Sequence, residues 1–451
     1  MVASTELSTH ERKWLEQSRR CEREGWIYLR ITGEPFSRGF QHGYCLAREI
    51  EAVLRVNRFL TLWQTGNEWS YFTAMADEMY TPKTDPEFIE EMRGIAAGAS
   101  KAGVPIAYQD VLAWNANIEM MGSWWPLVQG NPPQPKLRNH RCSAMIATGE
   151  RLTSDGGIVL AHNTWDTYAN GSHANILLDI EPQIGHRVLM QTSPGYIHSG
   201  TDFFLVSSGI IGAETTISGF NKYDATKAPE FSRVRKAMQY AQDLDQWMNI
   251  MQQDNNGGYA NSWLLGDVNS AEIVRFELGL EYVGIERTRD GFFWGCNIVS
   301  DLKIRNQEAV DTGYSDVSQD AGRRVRWQQL VKKHQGNINL EVAKDMLGDH
   351  HDVYNRQEKP CTRSICGHFD QDAAPFSSWG FPPFYPFGAN DGKVTTSELA
   401  RKMHLSGRFG HPCGLPFSAK KFLEDQPQYD WLASYLEDKP HRAWTDFPVE
   451  S

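Results

Sequence analysis

The stretch that decides the fold is Arg138–Asp166, RNHRCSAMIATGERLTSDGGIVLAHNTWD. Cys142 opens an apolar run, CSAMIAT, and a Gly-containing turn follows. A second run, GIVLAH, ends in the polar cluster His162, Asn163, Thr164, Trp165 and Asp166. Two short apolar runs bracketing turn residues predict a β-hairpin. Its geometry returns His162 and Asp166 to the level of Cys142 on the neighbouring strand. Side chains alternate across a strand, so His162 shares a face with Ile158 and Leu160, while Asn163 shares the other with Val159 and Ala161.

Cys142 is the nucleophile candidate that has a context. A thiolate needs a base or a lowered pKa. Cutting the bond before Cys142 would release its own α-amine, pKa about 8, as that base. The Pro-rich segment WPLVQGNPPQPKLRNHR (125–141) reads as an exposed linker that leaves the bond accessible. On this reading Asp166 or Asn163 orients the nucleophile and His162 donates to developing charge. Trp165 forms a wall of the acyl pocket. The bland alternative stays open: Cys142 is a small buried hydrophobe starting a core strand.

Away from the hairpin, the N-terminal MVASTELSTHERKWLEQSRRCEREG has a helical pattern with a Ser8/Glu11 capping box. GWIYLRITGEP (25–35) reads as a strand, and 37–63 as one long helix. A further helix starts at Asp85-Pro86. After the hairpin, NILLDIE, RVLMQTS and FFLVSSGIIGAETTI read as strands. EFSRVRKAMQYAQ and LDQWMNIMQQ read as helices, and the loop DNNGGYANSW leads into a meander ending at Arg289-Asp290-Gly291. The order predicts an α+β fold of antiparallel sheets covered by helices.

Several motifs resemble known families. RCSAMIATGERLTSDGGIVLAHNTWDTY resembles the nucleophile hairpin of the phospholipase B-like proteins. Those are N-terminal-nucleophile (Ntn) hydrolases in which a Cys-Ser pair precedes a His-Asn-Thr-Trp motif. The segment 231–265 resembles the one that ends there in a Tyr-Asn-Asn-Gln-Trp loop, read here as Tyr259-Ala260-Asn261-Ser262-Trp263. FGANDGKVTT and GHPCGLPFSAKKF resemble C-terminal patches of that family. ITGEPFSRGFQHGYCLAREI, EFIEEMRGIAAGAS and TRSICGH resemble the acyl-CoA:isopenicillin-N acyltransferase (peptidase C45) type of the same superfamily. The resemblance implies an αββα Ntn-hydrolase sandwich, with 1–141 as a helical pro-segment part and 142–451 as the core of one integrated domain. It implies self-cleavage at Arg141-Cys142, although these families more often carry Gly, Asp or Asn before the Cys. His162, Asn163 and Trp165 then line the pocket, and Asn261 donates to the oxyanion, as a side-chain amide in a Gly-rich loop suits. Tyr259, Trp263 and Arg275 are further substrate-contact candidates, Arg275 for a carboxylate.

Composition narrows the function. A net charge of −11 and pI near 5.7 argue against a nucleic-acid footprint. No apolar run reaches the roughly 18 residues of a membrane span. No secretory h-region is visible and the seven cysteines are scattered, so a cytoplasmic setting is expected. The expected activity is amide hydrolysis or acyl transfer through a thioester, on a small acyl amide or peptide, with neither cofactor nor metal. The alternatives are a phospholipase B-like lipid esterase and an uncut, non-catalytic binding protein of the same fold. Cys361, Cys366, His368, His411 and Cys413 have metal-ligand chemistry, but C-x4-C and H-x-C are not common finger spacings. GDHHD (348–352) reads as a loop of solvated histidines. Asn170-Gly171-Ser172 matches a glycosylation sequon.

Overall fold

The computed structural model describes residues 6–130, 141–200, 203–310, 313–373 and 381–448. The chain divides into two compact units that interleave in sequence. Unit 1 takes Met1–Trp124, His173–Ser208 and Tyr223–Gly258; unit 2 takes Trp125–Ser172, Gly209–Lys222 and Tyr259–Ser451. Strand pairing interleaves them: the N-terminal strand Trp26–Gly33 takes Ile176–Pro182 as its partner, drawing that later segment into unit 1.

In unit 1 the strands run Arg19–Arg23, Trp26–Gly33, Ile176–Pro182, Val188–Thr192 and Phe203–Val206, each beside the next. The pairing of Trp26–Gly33 with Ile176–Pro182 is parallel, the others antiparallel. A parallel pair needs a long crossover, and here the crossover is more than a hundred residues long. Helix Thr9–Glu16 has the expected capping box, but Arg19–Arg23 is a strand, not more helix. The long helix is two, Pro35–Cys45 and Ala47–Thr65, broken at the fully buried Leu46.

Helix Pro35–Cys45 crosses helix Pro86–Lys101 backbone to backbone. A Cβ at Gly39 would stand 2.0 Å from the Glu91 carbonyl oxygen, and one at Gly94 2.3 Å from that of Phe36. Only glycine fits either position. Beneath the crossing, Arg38 Nε and Arg235 Nη1 donate to the two carboxylate oxygens of the buried Glu91, at 2.6 and 3.0 Å. Buried charges of this kind have to be paired to be tolerated.

Unit 2 holds two antiparallel sheets. One runs Ile210–Thr216, Asn261–Asp267, Glu272–Leu278, Val283–Thr288. The chain turns at Asp290 into Gly291–Gly295, which is the edge of the second sheet. That sheet continues Arg141–Thr148, Val159–Thr167, Asp391–Thr396, Leu405–Phe409, Thr445–Phe447. The short strand Phe387–Ala389 pairs with the far end of Val159–Thr167.

The two sheets meet face to face. A Cβ at Gly266 in the first would touch Ile146 of the second at 3.1 Å and Ile158, just before its strand Val159–Thr167, at 3.0 Å. The other face of the second sheet carries Met145, Ala147, Val159 and Ala161. It is covered by Trp327, Leu330 and Val331 of helix Ala321–Lys333 and by Leu347 of helix Leu340–Leu347. Unit 2 thus shows sheet, sheet and helix layers, and the fold is α+β as expected. Of the expected linker, Trp125–Val128 is a helical turn and Arg141 already lies in a strand; 131–140 falls outside the described residues.

Candidate active site

The hairpin forms as the sequence predicts. Cys142 stands opposite Thr164, Ser143 opposite Asn163, and Ala144 opposite His162. Directly opposed residues on an antiparallel pair share a face. Cys142, Ala144, Ile146, Thr164, His162 and Leu160 therefore face the inside of the sandwich. Lys393, opposed to His162 on the next strand, joins them, and so does Asp391 by alternation. The group is enclosed: Cys142, His162, Lys393 and Asp391 are 0% exposed and Thr164 1%.

Hydrogen bonds tie the group together. Lys393 Nζ donates to Thr164 Oγ1 at 2.6 Å and pairs with Asp391 Oδ1 at 2.7 Å. The Thr164 N–H donates to the same Asp391 oxygen at 3.1 Å. His162 Nε2 lies 3.0 Å from the Glu214 carbonyl oxygen on the facing sheet. A carbonyl only accepts, so the proton is on Nε2 and Nδ1 is the basic nitrogen. Burial and the neighbouring Lys393 charge hold the imidazole pKa well below its usual value, so His162 is neutral.

From the other face, Arg323 near the start of helix Ala321–Lys333 clamps the strand end. Its Nη1 donates to the Cys142 carbonyl at 2.7 Å and to Ser143 Oγ at 3.0 Å. Its Nη2 donates to Asp320, to Asn297 Oδ1 and to the Cys296 carbonyl. The guanidinium lies 4.2 Å from the centre of the Trp165 ring. Asn297 Nδ2 in turn donates to the Thr216 carbonyl at 2.9 Å, and Thr216 is paired with Asn261.

Of the remaining sequence candidates, only Asp166 falls by alternation on the Cys142 face. Asn163 lies on the helix-covered side; its Oδ1 accepts the Ser143 N–H and its Nδ2 donates to the Ile365 carbonyl, so both ends serve backbone. Trp165 shares that side, packed against Phe369 and Arg323, and is not a wall on the Cys142 face. The strand stays regular through Thr167, and alternation decides both. The Asp166 carboxylate accepts from the Thr167 N–H and from Asn170 Nδ2, at the start of the short helix Tyr168–Gly171. Tyr259, at φ 47°, donates its hydroxyl to Glu214 Oε1 at 2.8 Å. By register Asn261, Trp263 and Glu214 lie on the outward face of the first sheet, and Ser262 takes the inward position. Asn261 is 1% exposed, and neither its Oδ1 nor its Nδ2 has a hydrogen-bond partner among the described residues. Arg275 pairs with Glu286 and lies against Phe293 and Trp294, the arrangement of a structural cation.

Sequence reasoning missed Lys393, Asp391 and Arg323. The first two sit inside FGANDGKVTT, singled out only by resemblance; Arg323 carries no local signal. The metal-type residues also regroup. Cys366, His368 and Cys413 come together with His350. Cys361 instead accepts from the Arg363 N–H, and His411 Nδ1 bonds the Ala389 carbonyl. His350 is half-buried rather than solvated.

A thiol beside a hydroxyl, an ammonium and a carboxylate on one dry face suits hydrolysis through an acyl intermediate. The chain is related to the Phospholipase B family, whose model matches residues 75–296. It is 30% identical to human phospholipase B-like 1 over 289 residues, 57% of this chain and 49% of that protein. It is 27% identical to phospholipase B of Crotalus adamanteus over 61% of this chain and 53% of that one. An uncharacterized protein of Archaeoglobus fulgidus is 26% identical over 52% of this chain and 40% of its own length. The chain thus spans about half, or less, of each of these relatives. Penicillin V acylase from Agrobacterium tumefaciens aligns in structure at 9% identity, over 59% of this chain and 82% of that one, with a TM-score of 0.33.

Proposed function

We propose that this chain is a cysteine-nucleophile hydrolase of acyl amide or ester bonds, matured by scission of Arg141–Cys142. The carrying observation is the enclosed set on one sandwich face: Cys142, Thr164, the Lys393–Asp391 pair and neutral His162. A fully buried ion pair costs several kcal/mol of desolvation per ion before its attraction is counted. Packing alone would be served as well by apolar side chains there.

In maturation the Cys142 sulfur attacks the Arg141 carbonyl carbon. The peptide C–N bond breaks as the C–S bond forms, and the nitrogen takes the thiol proton. Water then hydrolyses the thioester, releasing the upstream chain and leaving Cys142 with an α-amine. In turnover that amine takes the thiol proton, the thiolate attacks the substrate carbonyl, and the amine returns the proton to the leaving group; water then cleaves the thioester C–S bond, releasing the acid and restoring the thiol. Arg323, bonded to the Cys142 carbonyl, would keep the new N-terminus in place without its upstream chain. The resemblance gives Asn261 the oxyanion role; its uncommitted amide supports that role, and its outward strand position opposes it.

A small acyl amide or peptide is the first substrate class. A lipid ester is the second, favoured by the family match at 75–296. Intact-mass spectrometry after incubation with acyl amides and with short-chain phospholipids tests both. The expected result is a chain beginning at Cys142 that gains the acyl mass on that residue. An uncut chain that takes up no acyl group from either set would overturn the reading.

A further inference from the structure

Outside the Cys142 site, unit 2 gathers four metal-ligating side chains from three separate loops. His350 follows helix Leu340–Leu347, Cys366 and His368 lie in the next loop, and Cys413 lies after strand Leu405–Phe409. One ligand atom from each falls within 4.8 Å of all the others. Cys366 Sγ and Cys413 Sγ stand 3.3 and 3.5 Å from His368 Nε2. A tetrahedral zinc with Zn–S near 2.3 Å and Zn–N near 2.0–2.1 Å sets its ligand atoms roughly 3.3–3.8 Å apart. Small side-chain adjustments would bring the whole set to that spacing.

We propose that His350, Cys366, His368 and Cys413 bind one zinc ion in a closed, structural Cys2His2 site. Two thiols and two imidazoles are the donor set zinc takes in such sites, and four protein ligands leave no open position for substrate. None of the seven cysteines forms a disulfide. Backbone bonds already hold the loops in place: the Cys366 N–H to Asp349, the Lys359 N–H to His350, and the His368 N–H to Cys361, at 3.0–3.1 Å. The Leu415 N–H points at Cys413 Sγ at 3.4 Å, as suits a thiolate. His368 Nδ1 is buried, lacks a hydrogen-bond partner among the described residues, and lies 3.8 Å from the Asp370 carboxylate. Tyr168 fixes that carboxylate by a 2.6 Å hydrogen bond. A carboxylate behind a ligating histidine is the usual support that orients the ring.

The location gives the ion its task. A Cβ at Gly367 would meet the Trp165 ring at 2.5 Å, and His368 bridges Gly388, which pairs with Asp166. The ion would therefore fasten the loop that closes over the far end of the His162 strand.

The test is metal analysis of the full chain purified under reducing conditions, with thermal melting alongside. About one zinc per chain is expected, falling below about a tenth in His350→Ala and in Cys413→Ser. Cys361→Ser, a neighbour in sequence but outside the cluster, should keep its zinc. Should either ligand variant fail to fold, Co2+ exchange into the unaltered chain decides: a thiolate-to-cobalt absorption band supports the site. Chain without bound zinc that also takes up no Co2+ would overturn it. So would a Cys366–Cys413 disulfide, found as a loss of two hydrogens by mass, in chain prepared with zinc present.

Discussion

Cys142 owes its setting to its neighbours more than to itself, because a thiol in a dry interior is inert unless something takes its proton. Cys142→Ala is expected to abolish both chain scission and turnover with melting nearly unchanged, checked by gel and by acyl-amide release; a cut, active variant would remove the mechanism. Cys142→Ser should be partial, since an alcohol attacks but is far less acidic. The Lys393–Asp391 pair is separable from simple packing. Lys393→Met alone leaves Asp391 charged and buried, and should cost about 3–5 kcal/mol in denaturant melts. The double variant Lys393→Met/Asp391→Asn should recover most of that loss. If the pair acts on the site, turnover per folded molecule stays low in the double variant; recovery of both would make the pair structural. Asn261→Ala should lower kcat roughly 100–1000-fold with melting held, if its amide meets the oxyanion. Unchanged kcat would leave Asn261 as a structural residue at the start of its strand, consistent with its outward face.

At the scale of elements, glycine decides how unit 1 closes. Gly94→Ala places a methyl carbon 2.3 Å from a backbone oxygen, where neither helix can yield cheaply. A loss of about 1–3 kcal/mol or more is expected in urea melts. Gly122→Ala, with open space around the new Cβ, serves as the tolerated control. The elements most legible in sequence were the short apolar runs bounded by turn residues: Arg141–Thr148, Val159–Thr167 and the meander lie where those runs put them. Alternation made it readable that His162 and Asn163 take opposite faces; the resemblance favoured His162, which the register places on the Cys142 face. Strand Arg19–Arg23 was illegible because RRCER is a charged, exposed edge with no apolar period. Its signal was the turn behind it, Glu24-Gly25, both at positive φ, the hairpin-forming kind. Lys393 and Arg323 stayed hidden for a different reason. They lie 251 and 181 residues from Cys142 in the chain, at distances where no local pattern reports pairing. The metal-type cluster was partly legible: three of its four residues were marked by chemistry, and His350 joins them only by folding.

Over the whole molecule, stability should carry the mark of one buried carboxyl in unit 1. Glu119 is 3% exposed; it accepts from the Glu230 N–H at 2.9 Å and from Asn256 Nδ2 at 3.2 Å. Tyr80 and Tyr223, bonded to each other at 2.8 Å, and Arg233 complete its surroundings. Burial outweighs these contacts and raises its pKa from 4.5 to about 7. A folded pKa above the unfolded one means that the native state holds the extra proton. The contribution is complete below about pH 4.5, declines as pH rises, and is gone above about pH 7. At about 1.4 kcal/mol per pKa unit it is worth a few kcal/mol. His42 works against it in much the same window: burial lowers its pKa from 6.5 to about 4, so its contribution is lost as pH falls. Glu119 and His42 therefore partly offset each other in the wild-type curve. Glu119→Gln keeps the shape and most of the hydrogen bonds but removes the titration. Across pH 4.5–7 the variant's stability should rise relative to wild type by a few kcal/mol, measured by urea melts at half-unit steps. Parallel curves would mean that Glu119 stays ionised in the folded protein.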